Sequence, residues 1–564
     1  MKVAKHNSTV VCAVAIVFIV LFAQLIFVGL AGDLGWDDGC ITVSFARTFA
    51  ESGRIALTPV SEQVEGSSTP LWFFGLAGIY KVFHPGYLAM LQISQVLAAV
   101  CAALSCGLFY LLLRWCTGST LALITAIVFG LCGITFSEVV NGMEMELLSL
   151  LVVLCLLALQ RRNVYLAATA AALASMVRFE AAFYFVVAAL VMVALRPRRQ
   201  RMARGMAFAS VLSWSMVELW RWFSFHAVLP NTILAKRWPP YIENPKTHLF
   251  DHLYGGLEYY QCFGVLLLWL GWLYLTRNRE ATENSAPTVA DGKLEADVLH
   301  FCIGYALGVT VFSLVVGKNW GYLGRMQLSS FLPSLLLIFY FAQRFRRQLA
   351  PVPTTAVLVV LWLAMIQLCA PLDTLRLVLH EHGMAGSSQA FAAYQHERYH
   401  SYSVTPRNYA LTGHAVDDVR QLLQINSIAF MTPDVGGASL CCERIRIVDS
   451  ALLTNATLAR HGCGAIASVL ETENPEIVET HAPWAECGDI YRLSRFNTYY
   501  TPAIFEGNML WFRNDVLKRL QQSRPSSEMA ISDAVSVRFR YFDENIRTYG
   551  IAAGAAPRTT ITVF

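Results

Sequence analysis

The chain has 564 residues, 55% of them hydrophobic and only 15% charged, with a mean hydropathy of +0.47. An ordinary soluble domain of that size does not carry such a balance, and a bilayer is the solvent it fits. The formal net charge of +4 is small and its positive residues sit in short clusters between apolar runs, a pattern of membrane topology rather than of nucleic-acid binding.

The first apolar run, 10–30 behind Lys2 and Lys5, is too long for a secretory signal and has no small-residue cleavage site before Gly32. It reads as a retained first span with its N-terminus inside. Further apolar cores follow at 88–113, 119–137, 147–160, 163–177, 181–195, 205–225, 259–275, 298–316, 326–342 and 354–371. With ~20 residues needed per crossing, they predict about eleven transmembrane helices.

Positive charge tests the parity. Arg114, Arg161 with Arg162, the run RPRRQRMAR at 196–204, Arg277 with Arg279, and Arg344, Arg346 and Arg347 all fall on the cytoplasmic, N-terminal side of that topology, as the positive-inside rule requires. The connections 31–87, 138–146, 178–180, 226–258 and 317–325 then face outward, and so does the tail. The short apolar stretch LWFFGLAGIYKVF, 71–83, would invert every later loop if it spanned, so it reads as a juxtamembrane helix near the outer surface. The polar stretch 276–297 reads as a cytoplasmic loop.

Near residue 370 the apolar pattern ends, and pieces such as SIAFMTPDVGG and RIRIVDSALLTN alternate strand-like and helix-like segments with turn signals. The expected architecture is an all-α polytopic membrane domain, 1–371, with a first outer loop at 31–87, followed by an α/β domain, 372–564, on the periplasmic side of a bacterial inner membrane. Most cysteines fall in apolar segments as small packing residues. Cys441, Cys442, Cys463 and Cys487 lie in the tail, where an oxidising compartment allows one or two disulfides of open connectivity.

The first outer loop is richest in chemistry-bearing residues. Asp37 and Asp38 stand side by side behind Trp36; adjacent carboxylates repel and need a counter-charge, a metal or a proton. A solvated turn or a helix cap before ITVSFARTF is the alternative.

WDD, a helix containing FAR, an E-x-G-R turn and VEGSSTPLW together resemble the first loop of the GT-C class of multi-span glycosyltransferases. The likeness is closest to the branch holding the mycobacterial terminal arabinofuranosyltransferases and the flagellar motor control membrane proteins. GMEME at 142–146, VRFE at 177–180, LPNTILAK at 229–236 and GKNWGYLGR at 317–325 resemble later loops of that class. Met145, Phe179, Ala181, Lys318 and Asn319 depart from its usual residues. All these matches fall on the predicted outer side.

The resemblance implies transfer of a sugar from a polyprenyl-phosphate donor, with a loop-one aspartate as base; the acceptor would be an envelope glycan or a surface protein. Asp37 is the first choice for base, with Asp38 second or as an orienting or metal-binding partner. A divalent cation (Mg, Mn or Ca) near these two is allowed, with no ligand set fixed. Lys236, Arg325, Arg178 and Lys318 are the candidates for the donor phosphate, Arg as a planar fork and Lys as a point charge; snorkelling to lipid headgroups is the ordinary alternative. Glu65, Glu144, Glu180, Asn231 and Trp320 are candidates for sugar or acceptor hydroxyls, with structural ion pairs and an Asx-turn as competing readings. Trp36, Trp72 and Trp238 fit an interfacial belt, and Asp434 and Asp449 read as turn and strand-end residues.

No Walker loop, G-x-S-x-G or H-E-x-x-H occurs, so energy would enter with an activated substrate. A non-enzymatic assembly factor for a flagellar or envelope complex, and a lipid or sugar flippase, are the alternatives.

Overall fold

The computed structural model describes residues 2–195, 200–241, 294–316, 325–344, 405–481, 484–506, 508–523 and 562–563. The predicted spans at 259–275 and 354–371, most of the stretch 276–297, and Lys318, Trp320, Arg277, Arg279, Arg346 and Arg347 lie outside the described residues.

The N-terminal part is helical: α1 (Lys2–Ala31), α2 (Asp38–Ser52), α3 (Pro70–Phe83), α4 (Tyr87–Leu113), α5 (Ser119–Gly130), α6 (Gly133–Asn141), α7 (Met145–Gln160), α8 (Val164–Val177), α9 (Ala181–Leu195), α10 (Gln200–Phe225), α11 (Asn231–Ala235), α12 (Ala296–Val316) and α13 (Leu328–Arg344). By length and composition, Ser8–Ala31, Tyr87–Leu113 and Ala296–Val315 can each cross a membrane, and α5 with α6 forms a fourth such element, bent by 45°. The helices α7, α8 and α9 are apolar but shorter, so the described residues do not themselves supply about eleven full-length spans. Apolar side chains on α1 and α10 point outward, with Phe18, Phe22 and Ile26 at helical spacing and Phe208, Leu212, Leu219 and Phe223 likewise exposed. Such faces suit lipid; the chain is a multi-pass membrane protein.

The single span expected at 119–137 is instead a broken one. The break frees backbone carbonyls in an apolar setting, which carries a desolvation cost unless they are bonded. Gln24 donates to the Gly130 carbonyl at 2.7 Å and Thr135 to the Phe129 carbonyl at 3.1 Å. The outer connection expected at 138–146 is correspondingly shorter, because α6 runs to Asn141 and Gly142 ends it in the left-handed region (φ 63°), a conformation that favours glycine.

The C-terminal part is α/β, as the alternating pattern predicts. Strands β1 (Ile428–Thr432), β2 (Ile445–Asp449), β3 (Ile477–Val478), β4 (Tyr500–Phe505), β5 (Asn508–Arg513) and β6 (Thr562–Val563) form a sheet ordered β2-β1-β3-β5-β4-β6. The β1–β2 and β1–β3 pairs are parallel, β3–β5 and β4–β5 antiparallel, and β4–β6 parallel. Helices α14 (Pro406–Leu422), α15 (Gly436–Cys441) and α16 (Ala456–His461) accompany the parallel half. The four tail cysteines pair as Cys441–Cys442 and Cys463–Cys487.

The two parts share one of the apolar clusters. Phe45, Leu57, Trp72 and Phe73 from the first loop and its helices cluster with Val416, Phe430, Ile445 and Phe512 of the sheet domain. Loop one also covers the edge strand β2: Thr58 donates to the Ile445 carbonyl at 2.7 Å, and the Ile447 amide donates to Ser61 at 3.0 Å. Edge strands are commonly protected in this way.

Candidate functional site

Loop one is held rigidly before any ligand is considered. The Trp36 amide donates to the Asn141 side chain at 2.9 Å, the Trp72 indole donates to the Gly142 carbonyl at 3.1 Å, and Gln95 donates to the carbonyls of Gly32 and Val140. Trp72 is buried and Trp238 donates to the Ala459 carbonyl of the sheet domain. Both are joints between segments rather than members of the interfacial belt expected from sequence.

The adjacent aspartates have different environments. Asp37 is 2% exposed and its carboxylate accepts the amides of Gly436 and Gly437, one on each oxygen at 2.6 Å. Burial pushes its pKa well above the usual carboxylate value, with Asp434 and Asp38 adding to the rise and the two amides opposing it. Asp38 opens α2, and its side chain is 47% exposed; one oxygen lies 3.3 Å from the Arg325 guanidinium. Arg325 is itself only 12% exposed at the side chain and stands 3.9 Å from the fully buried Glu138. Glu138 belongs to no motif in the sequence; it opens the connection expected at 138–146 but stands on α6.

Three cations converge beside Asp38. Arg178 is buried and paired with Glu144 at 2.6 Å and Glu180 at 2.8 Å. Burial alone would lower its pKa, but these two carboxylates raise it further above its ordinary value. Lys236, just past α11, has no hydrogen bond or ion pair among the described residues. Its pKa is lowered to about 8, chiefly by burial and then by Arg178 and Arg325, with Glu180 and Asp38 acting weakly the other way. With no carboxylate in ion-pair range among the described residues, the Lys236 ammonium is the cation of this cluster left available to an added anion.

The other predicted residues sort by partner. Glu144 and Glu180 belong to the Arg178 ion pairs. Glu65 is held by both arms of Arg221, with Glu218 on the same guanidinium, which ties VEGSST to α10; burial raises the Glu65 pKa against that pairing. This pairing gives Glu65 a structural role. Asn231 is buried at the start of α11, and its side-chain amide nitrogen has no bonded partner among the described residues.

The sheet domain adds groups that the sequence left as turn residues. Asp434 follows β1, accepts from the Tyr409 hydroxyl at 2.8 Å and lies 3.2 Å from His481, which pairs on its other nitrogen with Glu479 at 2.9 Å. Burial would lower the His481 pKa, but Glu479 and Asp434 outweigh it and lift it to about 10. These residues come from the carboxyl ends of parallel strands β1 and β3, where open α/β sheets usually present polar groups. Asp449, at the end of β2, does behave as a strand-end cap: it accepts from Ala451 and Thr454.

A divalent cation does not fit this donor set. Both Asp37 oxygens are taken by amides and one Asp38 oxygen faces Arg325, so among the described residues the two aspartates offer no open pair of ligand atoms. Among the described residues the cluster with metal-ligand spacing is His414, Cys441 and Cys442, and its cysteines are joined to each other.

No protein-family model matches the sequence, and no curated protein does. The solved structures to which the chain is similar include ArnT from Cupriavidus metallidurans in the apo state, at 13% identity over 90% of this chain and 98% of that chain with a TM-score of 0.49. The Archaeoglobus fulgidus oligosaccharyltransferase is similar in its apo form, at 11% identity over 86% of this chain and 73% of that chain with a TM-score of 0.38. Tethered by a disulfide to an acceptor peptide with the NVT sequon, it matches at 12% identity over 88% and 74%, with a TM-score of 0.39.

Proposed function

We propose that the chain is an inverting glycosyltransferase that moves a sugar from a polyprenyl-phosphate donor to an acceptor hydroxyl on the periplasmic face of the inner membrane. The observation that carries this reading is the meeting of Lys236, Arg178 and Arg325 near the exposed Asp38 carboxylate, with Lys236 in no ion pair among the described residues. A lipid phosphate is an anion with oxygens enough for all three. The loop resemblance to the GT-C class supports the donor, and its arabinofuranosyltransferase branch supports a pentofuranose moved to an envelope glycan or surface protein.

Between the two aspartates, the exposed Asp38 suits the base better than Asp37, whose oxygens are both occupied. Asp38 accepts the acceptor proton as the acceptor oxygen bonds to the anomeric carbon. The bond from that carbon to the phosphate oxygen breaks, and the electron pair leaves with the polyprenyl phosphate, steadied by Lys236, Arg178 and Arg325. The test is release of polyprenyl phosphate from polyprenyl-phosphate-linked arabinofuranose by the full chain in nanodiscs. Loss of a general base costs about 100-fold or more, so Asp38→Asn should lose at least that. Full turnover in Asp38→Asn contradicts the assignment.

A further inference from the structure

Asp37 and Arg47 belong to one loop-one segment and grip opposite ends of the same short helix of the other domain. The Asp37 carboxylate accepts the first amides of α15, at Gly436 and Gly437. The Arg47 guanidinium donates to the carbonyls of Ser439 and Leu440 at its far end. Between them Ser439 donates to Ser44 at 2.9 Å. An acid at a helix N-terminus and a base at its C-terminus match the helix dipole, and all three donors and acceptors of loop one are buried.

The fit leaves no room for a side chain at the grip. A Cβ on Gly436 would stand 2.1 Å from the Asp37 carbonyl oxygen and 2.9 Å from its carboxylate; one on Gly437 would meet the Pro406 carbonyl at 2.4 Å. Asp38 is the next residue after Asp37, so whatever fixes Asp37 fixes where Asp38 begins α2 and how it meets Arg325.

We infer that Asp37 is an inter-domain latch: its carboxylate holds the sheet domain through the Gly436 and Gly437 amides, and the docked domain positions Asp38 over the cationic cluster. The catalytic consequence rests on the proposed role of Asp38, whereas the latch itself does not. Asp37 is thus a positioning residue, and the sheet domain is part of the site rather than an appendage.

The test uses the full chain carrying Ser44→Cys and Ser439→Cys, whose side chains replace hydroxyls 2.9 Å apart. Disulfide formation under mild oxidant reads docking without any substrate. Asp37→Asn keeps the shape but turns an amide group toward a backbone donor, and Gly436→Ala disturbs the same joint from the other side. Both should crosslink about tenfold or more slowly, the order expected for losing a charge-assisted hydrogen bond. Crosslinking at the parental rate in both overturns the latch.

The second readout is turnover of polyprenyl-phosphate-linked arabinofuranose before and after crosslinking. In Asp37→Asn and Gly436→Ala, kcat should fall with the donor KM unchanged, and the formed crosslink should restore it; Asp38→Asn should stay inactive when crosslinked. An Asp37→Asn chain that is crosslinked yet still inactive, beside an active crosslinked parent, shows that Asp37 acts chemically and overturns the inference. If the parental chain turns over no donor, the proposed reaction fails while the crosslinking rates still decide the latch.

Discussion

The lowered pKa of Lys236, about 8, turns the proposed phosphate contact into a pH dependence. A lysine binds an anion only when protonated, so its contribution is complete well below pH 8 and disappears as pH rises through that value. Binding of undecaprenyl monophosphate should therefore weaken between pH 7 and 9, and Lys236→Met should remove the transition. With charge-assisted hydrogen bonds contributing about 1.5–3 kcal/mol, the substitution should cost roughly 10- to 100-fold in affinity at pH 7. Calorimetric titration across that range checks both; an unchanged affinity in the variant would place the phosphate elsewhere. Lys236, Arg178 and Arg325 were legible because each lies in a loop with a recognisable string, LPNTILAK, VRFE or GKNWGYLGR. The partners of Asp37 were not. Gly436 and Gly437 act through backbone amides 399 and 400 residues away, and a backbone donor leaves no side-chain signature. Asp434 and His481 were equally hidden, since their pairing depends on β1 and β3 being neighbours in the sheet.

Among the elements, the contact between α2 and the end of α6 leaves no room for a side chain. A Cβ at Gly39 would lie 2.2 Å from the Asn141 carbonyl oxygen, a backbone atom that cannot swing aside. Gly39→Ala should destabilise the chain by about 1–3 kcal/mol, the usual cost of overpacking, and should displace loop one together with Asp38. Thermal unfolding in nanodiscs gives the first and hydrogen exchange at the α2 amides the second; native exchange at α2 would mean the contact is not rigid. The helix pattern was readable at this scale wherever it ran long, as in α1 and α4. The break between α5 and α6 was not, because the sequence stays apolar across it and the rescue of its carbonyls comes from Gln24 on another helix and Thr135 beyond the break. Loop one likewise read as an active face, but not as cover for the β2 edge.

For the whole molecule, composition and charge parity indicated a membrane part and an α/β tail, while their mutual dependence came only with the fold. The apolar cluster that joins Phe45, Leu57 and Phe73 to Val416, Phe430 and Ile445 means that each part covers apolar surface of the other. A full chain with a protease site inserted near residue 400 should, once cut, keep both fragments together through size-exclusion chromatography in mild detergent. Clean separation of the two would contradict a shared core. The core packs loop one against the sheet domain, so the site proposed for sugar transfer lies where the two parts meet.

The most direct test of that site is a structure of the full chain in nanodiscs with undecaprenyl monophosphate. The phosphate should lie within hydrogen-bonding distance of Lys236 and Arg325, with the exposed Asp38 carboxylate beside it. A phosphate bound instead on the opposite, basic side, near Arg114, Arg161 and Arg162, would contradict that placement.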